Sequence, residues 1–272
     1  MKYLQKFNNH DDYSNESSSI PTPGVAWDKE HVHYLPKLDN KIVCTYNVTS
    51  TTSATQTLNK NYDLSNIASM EVDGVETTVA YSYIFSATGN HTVKYTLNDG
   101  VTSIGGYMFS DCTNLTDVTI GNSITSIGEH TFAGCTNLTD VTIGNSVTSI
   151  GNYAFNNCTN LTSITMPDSV TSIGGFICYG CTALTSVTIS KKLTSIVDAS
   201  FRNCSSLTNI TISNAVTNIG VEAFAGCTSM NSIAYTGNIS DWKKITKGNN
   251  WHDSVAASTV TCSDGTCGLD DQ

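Results

Sequence analysis

The sequence repeats with a period of 23 residues, and this period limits the possible folds more than any other feature. The segment CTNLTDVTIGNS occupies 112–123 and recurs unchanged at 135–146. Written from Val101 in lines of 23, the chain gives six lines that end at Asn238 and share the pattern V-T-S-I-G-x-x-x-F-x-x-C-T-x-L-T-x-V-T-I-x-x-S. A repeat of roughly 20 to 50 residues indicates a protein that stacks one structural unit on the next.

Apolar residues fill four columns of this alignment. A single unit cannot bury them, whereas stacked units bury each column against its own copy one coil away. The same letters therefore recur because each coil meets nearly the same surroundings. The four columns are Ile104, Ile127, Ile150, Ile173, Ile196 and Ile219; Leu115, Leu138, Leu161, Leu184, Leu207 and Met230; Ile120, Ile143, Met166, Ile189, Ile212 and Tyr235; and Phe109, Phe132, Phe155, Cys178, Phe201 and Phe224.

The L-T-x-V-T-I part of each line predicts a short strand whose Leu, Val and Ile side chains point inward. Six such strands predict a parallel sheet, V-T-S-I predicts a second extended side, and G-x-x-x-F-x-x-C leaves room for one helical turn. We therefore predict a six-coil solenoid over 100–238. The lines resemble the BspA-like leucine-rich repeats of gut and oral bacteria, some protists and their phages. This resemblance covers 101–238 and implies a leucine-rich-repeat fold and a role in adhesion.

The residues after the repeats are predicted to cap the last coil. Trp242, Ile245 and Trp251 can cover its apolar face, and STVTC at 258–262 can add a closing strand. The tail GNISDWKKITKGNNWHDSVAASTVTCSDG resembles the segment that closes such repeats. We assign the cap to 239–272. An aromatic platform for sugars is the alternative interpretation of the two tryptophans.

Residues 41–99 predict a small all-β, sandwich-like domain before the solenoid. Alternating apolar residues at 42–48 predict one strand, and Asp73-Gly74 predicts a two-residue hairpin turn. The segment HTVKYTL at 91–97 aligns one period before the first coil, so we expect it to begin the solenoid sheet.

Residues 1–40 predict an extended N-terminal arm, because they are polar, contain three prolines and show no period. The aromatic residues of the arm argue against a disordered tail, which is the alternative. The stretch MKYLQKFNNHDDY…VAWDKEHVHYLP resembles the leading segments of structural proteins from phages of gut Bacteroidales, including crAss-like phages. That resemblance implies that the arm docks the chain onto a larger assembly.

The composition excludes several classes of partner. A formal net charge of −10 with only 13 lysines and arginines is wrong for a nucleic-acid binder, and it disfavours an anionic membrane surface. No apolar stretch approaches the roughly 18 residues of a membrane span. The first residues also lack the apolar region of a secretion signal. We expect the chain to work inside a cell, to leave it by another route or to carry its signal elsewhere.

Six of the ten cysteines fall in one repeat column. Stacked in register, their side chains point in parallel and their Cβ atoms stay about 4.8 Å apart, beyond the roughly 3.5–4.5 Å of a disulfide. We therefore expect a ladder of buried free thiols. The column is Cys112, Cys135, Cys158, Cys181, Cys204 and Cys227.

Two further cysteine pairs invite other interpretations. Cys178 and Cys181 form C-x-x-C, which suggests redox or metal chemistry, but the repeat explains the pair without it. Cys178 replaces the column phenylalanine, and Phe176 or Tyr179 is expected to fill the space. Cys262 and Cys267 can close a short loop under oxidation, and the sequence leaves this open.

We predict no enzyme, no catalytic residue, no cofactor and no metal. The six histidines are scattered, and none lies beside a serine or cysteine nucleophile at a family spacing. SIGGYMFS and SIGGFICYG are repeat turns and not phosphate-binding loops. A metal site at His31 and His33, near Asp28 and Glu30, is the alternative.

The outward positions of the predicted strands form a polar ladder on the concave face, and this face is the candidate binding site. Solenoids commonly bind through such an extended face. The alternative is that threonine here serves only strand packing. We call these residues the strand ladder: Asp117, Thr119, Asp140, Thr142, Ser163, Thr165, Ser186, Thr188, Asn209 and Thr211.

These features predict a non-enzymatic binding and display solenoid, attached through residues 1–40 to a larger assembly. The predicted assembly is a phage virion put together in the bacterial cytoplasm, with the chain as a structural or attachment (fibre or decoration) protein. The alternative is a BspA-like adhesin, on the bacterial surface or secreted, that binds host proteins or cells. The expected partners are proteins at the arm and at the strand ladder, and a host-surface protein or glycan; a homo-oligomer is left open.

Overall fold

The computed structural model describes residues 40–50, 56–60 and 63–271, all within one unit of the chain. The predicted arm, except for its last residue, lies outside the described residues. So does the candidate metal pair His31 and His33.

The described residues before the repeats form six strands: β1 (Lys41–Val48), β2 (Gln56–Thr57), β3 (Ile67–Val72), β4 (Val75–Thr77), β5 (Ser82–Tyr83) and β6 (Gly89–Leu97). Asp73 and Gly74 form the turn between β3 and β4, with left-handed φ angles of 51° and 81°. Val72 pairs with Val75 across this turn. The predicted hairpin is therefore confirmed.

Each coil contributes two parallel strands, one of two residues at S-I and a longer one at L-T-x-V-T-I. Equivalent residues of successive coils pair in register, for example Val118 with Val141 and Ile127 with Ile150. The predicted parallel solenoid is therefore confirmed. The short strands are β7 (Ser103–Ile104), β9 (Ser126–Ile127), β11 (Ser149–Ile150), β13 (Ser172–Ile173), β15 (Ser195–Ile196) and β17 (Asn218–Ile219); the longer ones are β8 (Leu115–Ile120), β10 (Asp140–Thr142), β12 (Ser163–Thr165), β14 (Ser186–Thr188), β16 (Asn209–Ile212) and β18 (Ser232–Tyr235).

Strand β1 occupies the position beside the first coil that was predicted for the strand at 91–97. The order of the first sheet is β4-β3-β6-β1-β8-β10, so β6 lies one strand further out, and the prediction that it begins the solenoid sheet is wrong. β1 is antiparallel to both neighbours and pairs Ile42 with Ile120 and Cys44 with Val118. Its alternate side chains are buried, so an antiparallel strand from outside the repeats extends the apolar columns.

Phenylalanine rings stack along the interior. The ring centroids of Phe109, Phe132 and Phe155 are 5.3 Å apart, and neighbouring planes lie within 6° of parallel. All three rings are fully buried. Cys178 interrupts the stack, which resumes in coils five and six with centroids 5.5 Å apart. The period in the sequence thus becomes two runs of stacked aromatic rings, one in coils one to three and one in coils five and six.

Threonine hydroxyls join each coil to the one before. Oγ1 of Thr125 donates a hydrogen bond of 3.1 Å to the carbonyl oxygen of Thr102, 23 residues earlier. Thr148 and Thr171 repeat the bond in the next two coils. The same carbonyl oxygen also accepts a backbone N–H, and the hydroxyl donates a second hydrogen bond to it. The many threonines therefore have a structural role in addition to their preference for strands.

One turn column alternates along the stack between Asp or Asn and glycine. All six residues have left-handed φ angles, from 53° to 77°. A Cβ added at Gly134 would overlap Oδ1 of Asp111, and one at Gly180 would overlap Oδ1 of Asn157. Each Asp or Asn side chain therefore fills the space that the glycine of the next coil leaves. The column is Asp111, Gly134, Asn157, Gly180, Asn203 and Gly226.

The cap consists of α1 (Ile239–Trp242), β19 (Thr246–Lys247), β20 (Thr259–Cys262) and β21 (Gly265–Gly268). β20 pairs with β18, as predicted for the closing strand, and β21 pairs antiparallel to β20. Trp242 and Trp251 are 0% and 2% exposed, with ring centroids 6.0 Å apart. The sugar-platform alternative is therefore wrong, because both rings are covered by the protein.

The column thiols are buried, and five of them donate S–H to a carbonyl of the preceding coil. Sγ of Cys135 lies 2.9 Å from the carbonyl oxygen of Phe109, and Sγ of Cys181 lies 3.1 Å from that of Phe155. This contact explains why a small side chain with a donor occupies the column. Burial raises the pKa of Cys112 to about 12.

We expect the column thiols to resist alkylation by iodoacetamide at pH 8 in the native protein. The thiolate is the reactive form, and burial holds the pKa of Cys112 and Cys227 at about 12. Cys267, which is only partly buried, should react. Peptide mass spectrometry measures the extent of reaction, with protein in guanidinium chloride as the control in which every cysteine reacts. Native labelling of Cys135 at the denatured rate would contradict the buried column.

Candidate binding surfaces

The structure brings all ten residues of the strand ladder to one outer face of the repeat strands. The central strands show a buried residue between two exposed ones, so the residues on either side of each inward valine or isoleucine point outward. Asp117 and Thr119 are half-buried, since Thr45 and Val43 of β1 pair beside them. The other eight are exposed.

The strand ladder offers hydrogen bonds and little charge. Its side chains are hydroxyls, one amide and the carboxylates of Asp117 and Asp140, which occupy neighbouring positions in register. Oδ2 of Asp117 accepts a hydrogen bond of 2.6 Å from the hydroxyl of Thr116. The face contains no aromatic ring and no cation, so a ligand there would bind through many weak polar contacts.

Neither a metal centre nor a membrane crossing is found in the described part of the chain. Among residues 40–50, 56–60 and 63–271, no group of three His, Cys, Asp or Glu side chains is arranged to hold a metal ion. In the same residues, every helix is too short or too polar to span a bilayer.

A second surface, which the repeat pattern did not lead us to predict, is a row of four stacked rings that we call the aromatic stack. Tyr107, His130, Tyr153 and Phe176 lie with successive ring centroids 4.6, 4.6 and 4.7 Å apart. Successive planes differ by 9° to 13°. Tyr107 is 39% exposed, and the other three rings are half-buried.

The backbone of the turns places these rings outside. All four residues of the aromatic stack have left-handed φ angles, from 52° to 61°. A left-handed residue cannot continue a right-handed helix, so the G-x-x-x-F-x-x-C segments form turns in place of the expected helical turn. The rings project from the turns. Phe176 and Tyr179 are both only half-buried, so neither fills the interior beside Cys178 as expected. Ile177, which lies between Phe176 and Cys178 in the sequence, is fully buried there.

The aromatic stack ends at Phe176, because the equivalent position in coil five is Ala199. The ring of Phe176 also tilts against Tyr179, at 5.9 Å between centroids. The guanidinium of Arg202 lies 5.8 Å from the Tyr179 centroid and forms an ion pair with Glu222. The alignment contained a signal for this surface, since the third residue after the isoleucine column is Tyr, His, Tyr and Phe in four successive coils.

The chain is similar to leucine-rich repeat proteins of bacteria whose structures are known. A leucine-rich repeat protein of T. pallidum is 26% identical with a TM-score of 0.51, over 56% of this chain and 69% of that one. A leucine-rich cell surface protein of Faecalibacterium prausnitzii A2-165 gives 26% identity and a TM-score of 0.38, over 55% of this chain and 61% of that one. A leucine-rich repeat protein of Eubacterium ventriosum ATCC 27560 gives 25% and 0.44, over 51% and 42%.

The chain thus spans less than two thirds of the last two structures. No curated protein matches the sequence. The BspA type leucine-rich repeat region matches in six copies over residues 61–161 and 125–246, which is more than half of the chain. With the observed parallel solenoid, this match shows that the chain belongs to the BspA type leucine-rich repeat family.

Proposed function

We propose that the chain is a non-enzymatic binding and display solenoid whose strand ladder contacts a protein on a cell surface. The observation that carries the proposal is the row of exposed polar side chains at equivalent positions of successive strands. Successive parallel strands are about 4.8 Å apart. Such a face presents hydrogen-bonding groups to a broad surface, which suits a protein better than a small ligand.

We further propose that residues 1–40 mount the solenoid on a phage virion, as a structural or attachment protein. The support is the resemblance of MKYLQKFNNHDDY…VAWDKEHVHYLP to the leading segments of phage structural proteins. The composition of the strand ladder agrees with display in many copies. A face without aromatic or cationic anchors binds weakly one copy at a time, and an array raises the overall affinity through effective concentration.

We expect the double variant Thr142→Lys/Thr165→Lys to lower binding of the full chain to intact gut Bacteroidales cells at least ten-fold. Two adjacent cations with long side chains would keep a partner from approaching the ladder and would remove its hydrogen-bonding hydroxyls. Flow cytometry with the labelled chain measures the bound fraction.

The matched control is Thr102→Lys/Thr113→Lys, which adds the same charges at two exposed threonines outside the ladder. Equal loss of cell binding in both variants would refute a site on the strand ladder.

Immunodetection of the chain in purified phage particles tests whether it is part of a virion. A chain found in the cell envelope fraction and absent from particles would refute the virion and favour the bacterial adhesin.

A further inference from the structure

The sheet of short strands is broken at one point. Its strands pair in the order β13-β11-β9-β7 and separately as β15-β17-β19, so the short strands of coils four and five are not paired with each other. In the neighbouring coils, the N–H of Gly174 donates to Ile150 at 2.8 Å, and that of Gly220 donates to Ile196 at 2.7 Å. The residue that follows the isoleucine of each short strand donates this bond in coils two, three, four and six. Within the described residues, Val197 of coil five donates no such bond to the preceding coil.

Val197 accounts for the break. The equivalent positions in coils two, three, four and six are glycines packed directly on the backbone of the coil before. A Cβ at Gly128 would lie 2.5 Å from the N of Gly106, and one at Gly151 would lie 2.6 Å from the N of Glu129. Real Cβ atoms do not approach backbone this closely, so the valine in coil five holds the two coils apart on this side.

The turns of coils four and five stay hydrogen-bonded to each other, although the longer strands β14 and β16 are also unpaired there. The N–H of Phe176 donates to the carbonyl of Asp198 at 2.9 Å, and that of Cys178 donates to the carbonyl of Ser200 at 2.8 Å. Coils four and five are therefore joined at their turns and unpaired at their short strands. A cleft of about 360 Å³ lies here at the end of the aromatic stack, lined by Tyr153, Phe176, Val197, Asn152, Asp198 and Asn218.

Each of the three polar side chains of the cleft is fixed by one hydrogen bond and has a second polar atom without a partner in the described part of the chain. Oδ1 of Asn152 accepts from the N–H of Gly175, and Oδ1 of Asp198 accepts from the N–H of Val221, both at 2.8 Å. Nδ2 of Asn218 donates to Ser195 at 2.9 Å. Among the described residues, no partner is found for Nδ2 of Asn152, Oδ2 of Asp198 or Oδ1 of Asn218.

We propose that this cleft binds a neutral saccharide. Its unused atoms supply one donor group and two acceptors, which matches hydroxyl groups that both donate and accept. Phe176, the last ring of the aromatic stack, supplies with Val197 the apolar wall for the C–H groups of a sugar. Tyr153 is stacked on both faces, by His130 and Phe176, and adds only its edge to this wall. The carboxylate of Asp198 disfavours an anionic ligand. Apolar walls with a few fixed polar groups are typical of small-ligand sites, and the volume is in their range.

The test is binding of maltotriose, cellotriose and triacetylchitotriose to the full chain, measured by saturation-transfer NMR and calorimetry. At least one trisaccharide should bind with a dissociation constant below 10 mM, on the order expected for a small shallow site. Asp198→Asn, which keeps Oδ1 but removes the second acceptor, should weaken binding at least ten-fold.

Val197→Gly is the decisive variant, since it restores the glycine column and should close the cleft without unfolding the protein. We expect binding to be lost while the amide of residue 197 becomes protected from hydrogen exchange. Tyr107→Ala, at the far end of the aromatic stack, is the matched control and should bind normally.

Three outcomes would overturn the proposal: no trisaccharide binds, Val197→Gly binds as well as the parent, or indole binds where the sugars do not. Thr142→Lys/Thr165→Lys should keep sugar binding intact. Failure of the strand ladder and failure of the cleft are therefore separate results.

Discussion

Replacing Phe132 by alanine should lower the free energy of unfolding by about 3–5 kcal/mol. The ring is fully buried between Phe109 and Phe155, with centroids 5.3 Å away on both sides. Truncation removes contacts on both faces and leaves a cavity inside a column that cannot close, because the hydrogen-bonded turns fix the distance between coils. Denaturation in guanidinium chloride, followed by circular dichroism, measures the loss.

Tyr107→Ala provides the control for Phe132→Ala. Tyr107 also stacks on an aromatic ring of the next coil, at 4.6 Å, but it is 39% exposed. Its truncation should cost less than about 1 kcal/mol, as surface substitutions usually do. If the two variants lose equal stability, the interior column does not form the core of the solenoid.

Replacing Gly151 by valine should cost about 1–3 kcal/mol and open a second break in the sheet of short strands. A Cβ at this position would lie 2.6 Å from the N of Glu129 and 2.7 Å from the carbonyl C of Gly128. The coils must separate there, as they do at Val197. The bond of 2.8 Å from the N–H of Gly151 to the carbonyl of Ile127 is then lost. Stability is measured by chemical denaturation, and the break by faster hydrogen exchange at residues 148 and 151.

Gly175→Ala is the matched control for Gly151→Val. A Cβ at Gly175 would meet a single atom, the carbonyl oxygen of Asp198 at 3.3 Å. Its cost should stay below about 1 kcal/mol. A Gly151→Val protein with parental stability and unchanged exchange would show that the glycine column does not set the spacing of the coils.

The repeat in the sequence predicted the solenoid because its signal is redundant. Each buried column has one residue in each of the six coils, so the pairing of Val118 with Val141 follows from aligning the repeats. The cap was predictable for a related reason, since an end coil needs cover and Trp242 and Trp251 are large enough to give it. The predicted ladder residues also share one face because strand alternation fixes which side chains point out.

The remaining features depend on information that the period does not contain. β1 joins β8 through an antiparallel pairing, and nothing in the repeat indicates which outside strand covers the first coil. The aromatic stack depends on left-handed backbone at Tyr107 and its equivalents, which sequence preferences disfavour for bulky residues. The cleft arises from Val197, one departure in an otherwise glycine column. Positions that depart from the repeat pattern, such as Val197, therefore mark features that the shared pattern does not predict.

In the turn column, Asp or Asn alternates with glycine. The packing in this column therefore repeats every two coils, although the sequence pattern repeats every coil. Removing or duplicating one coil would set two branched side chains against each other, or two glycines over an empty space. Removing or duplicating a pair preserves the alternation in this turn column. Recombination between these repeats should thus change the number of coils in steps of two, so that the solenoid lengthens or shortens by pairs of coils during evolution.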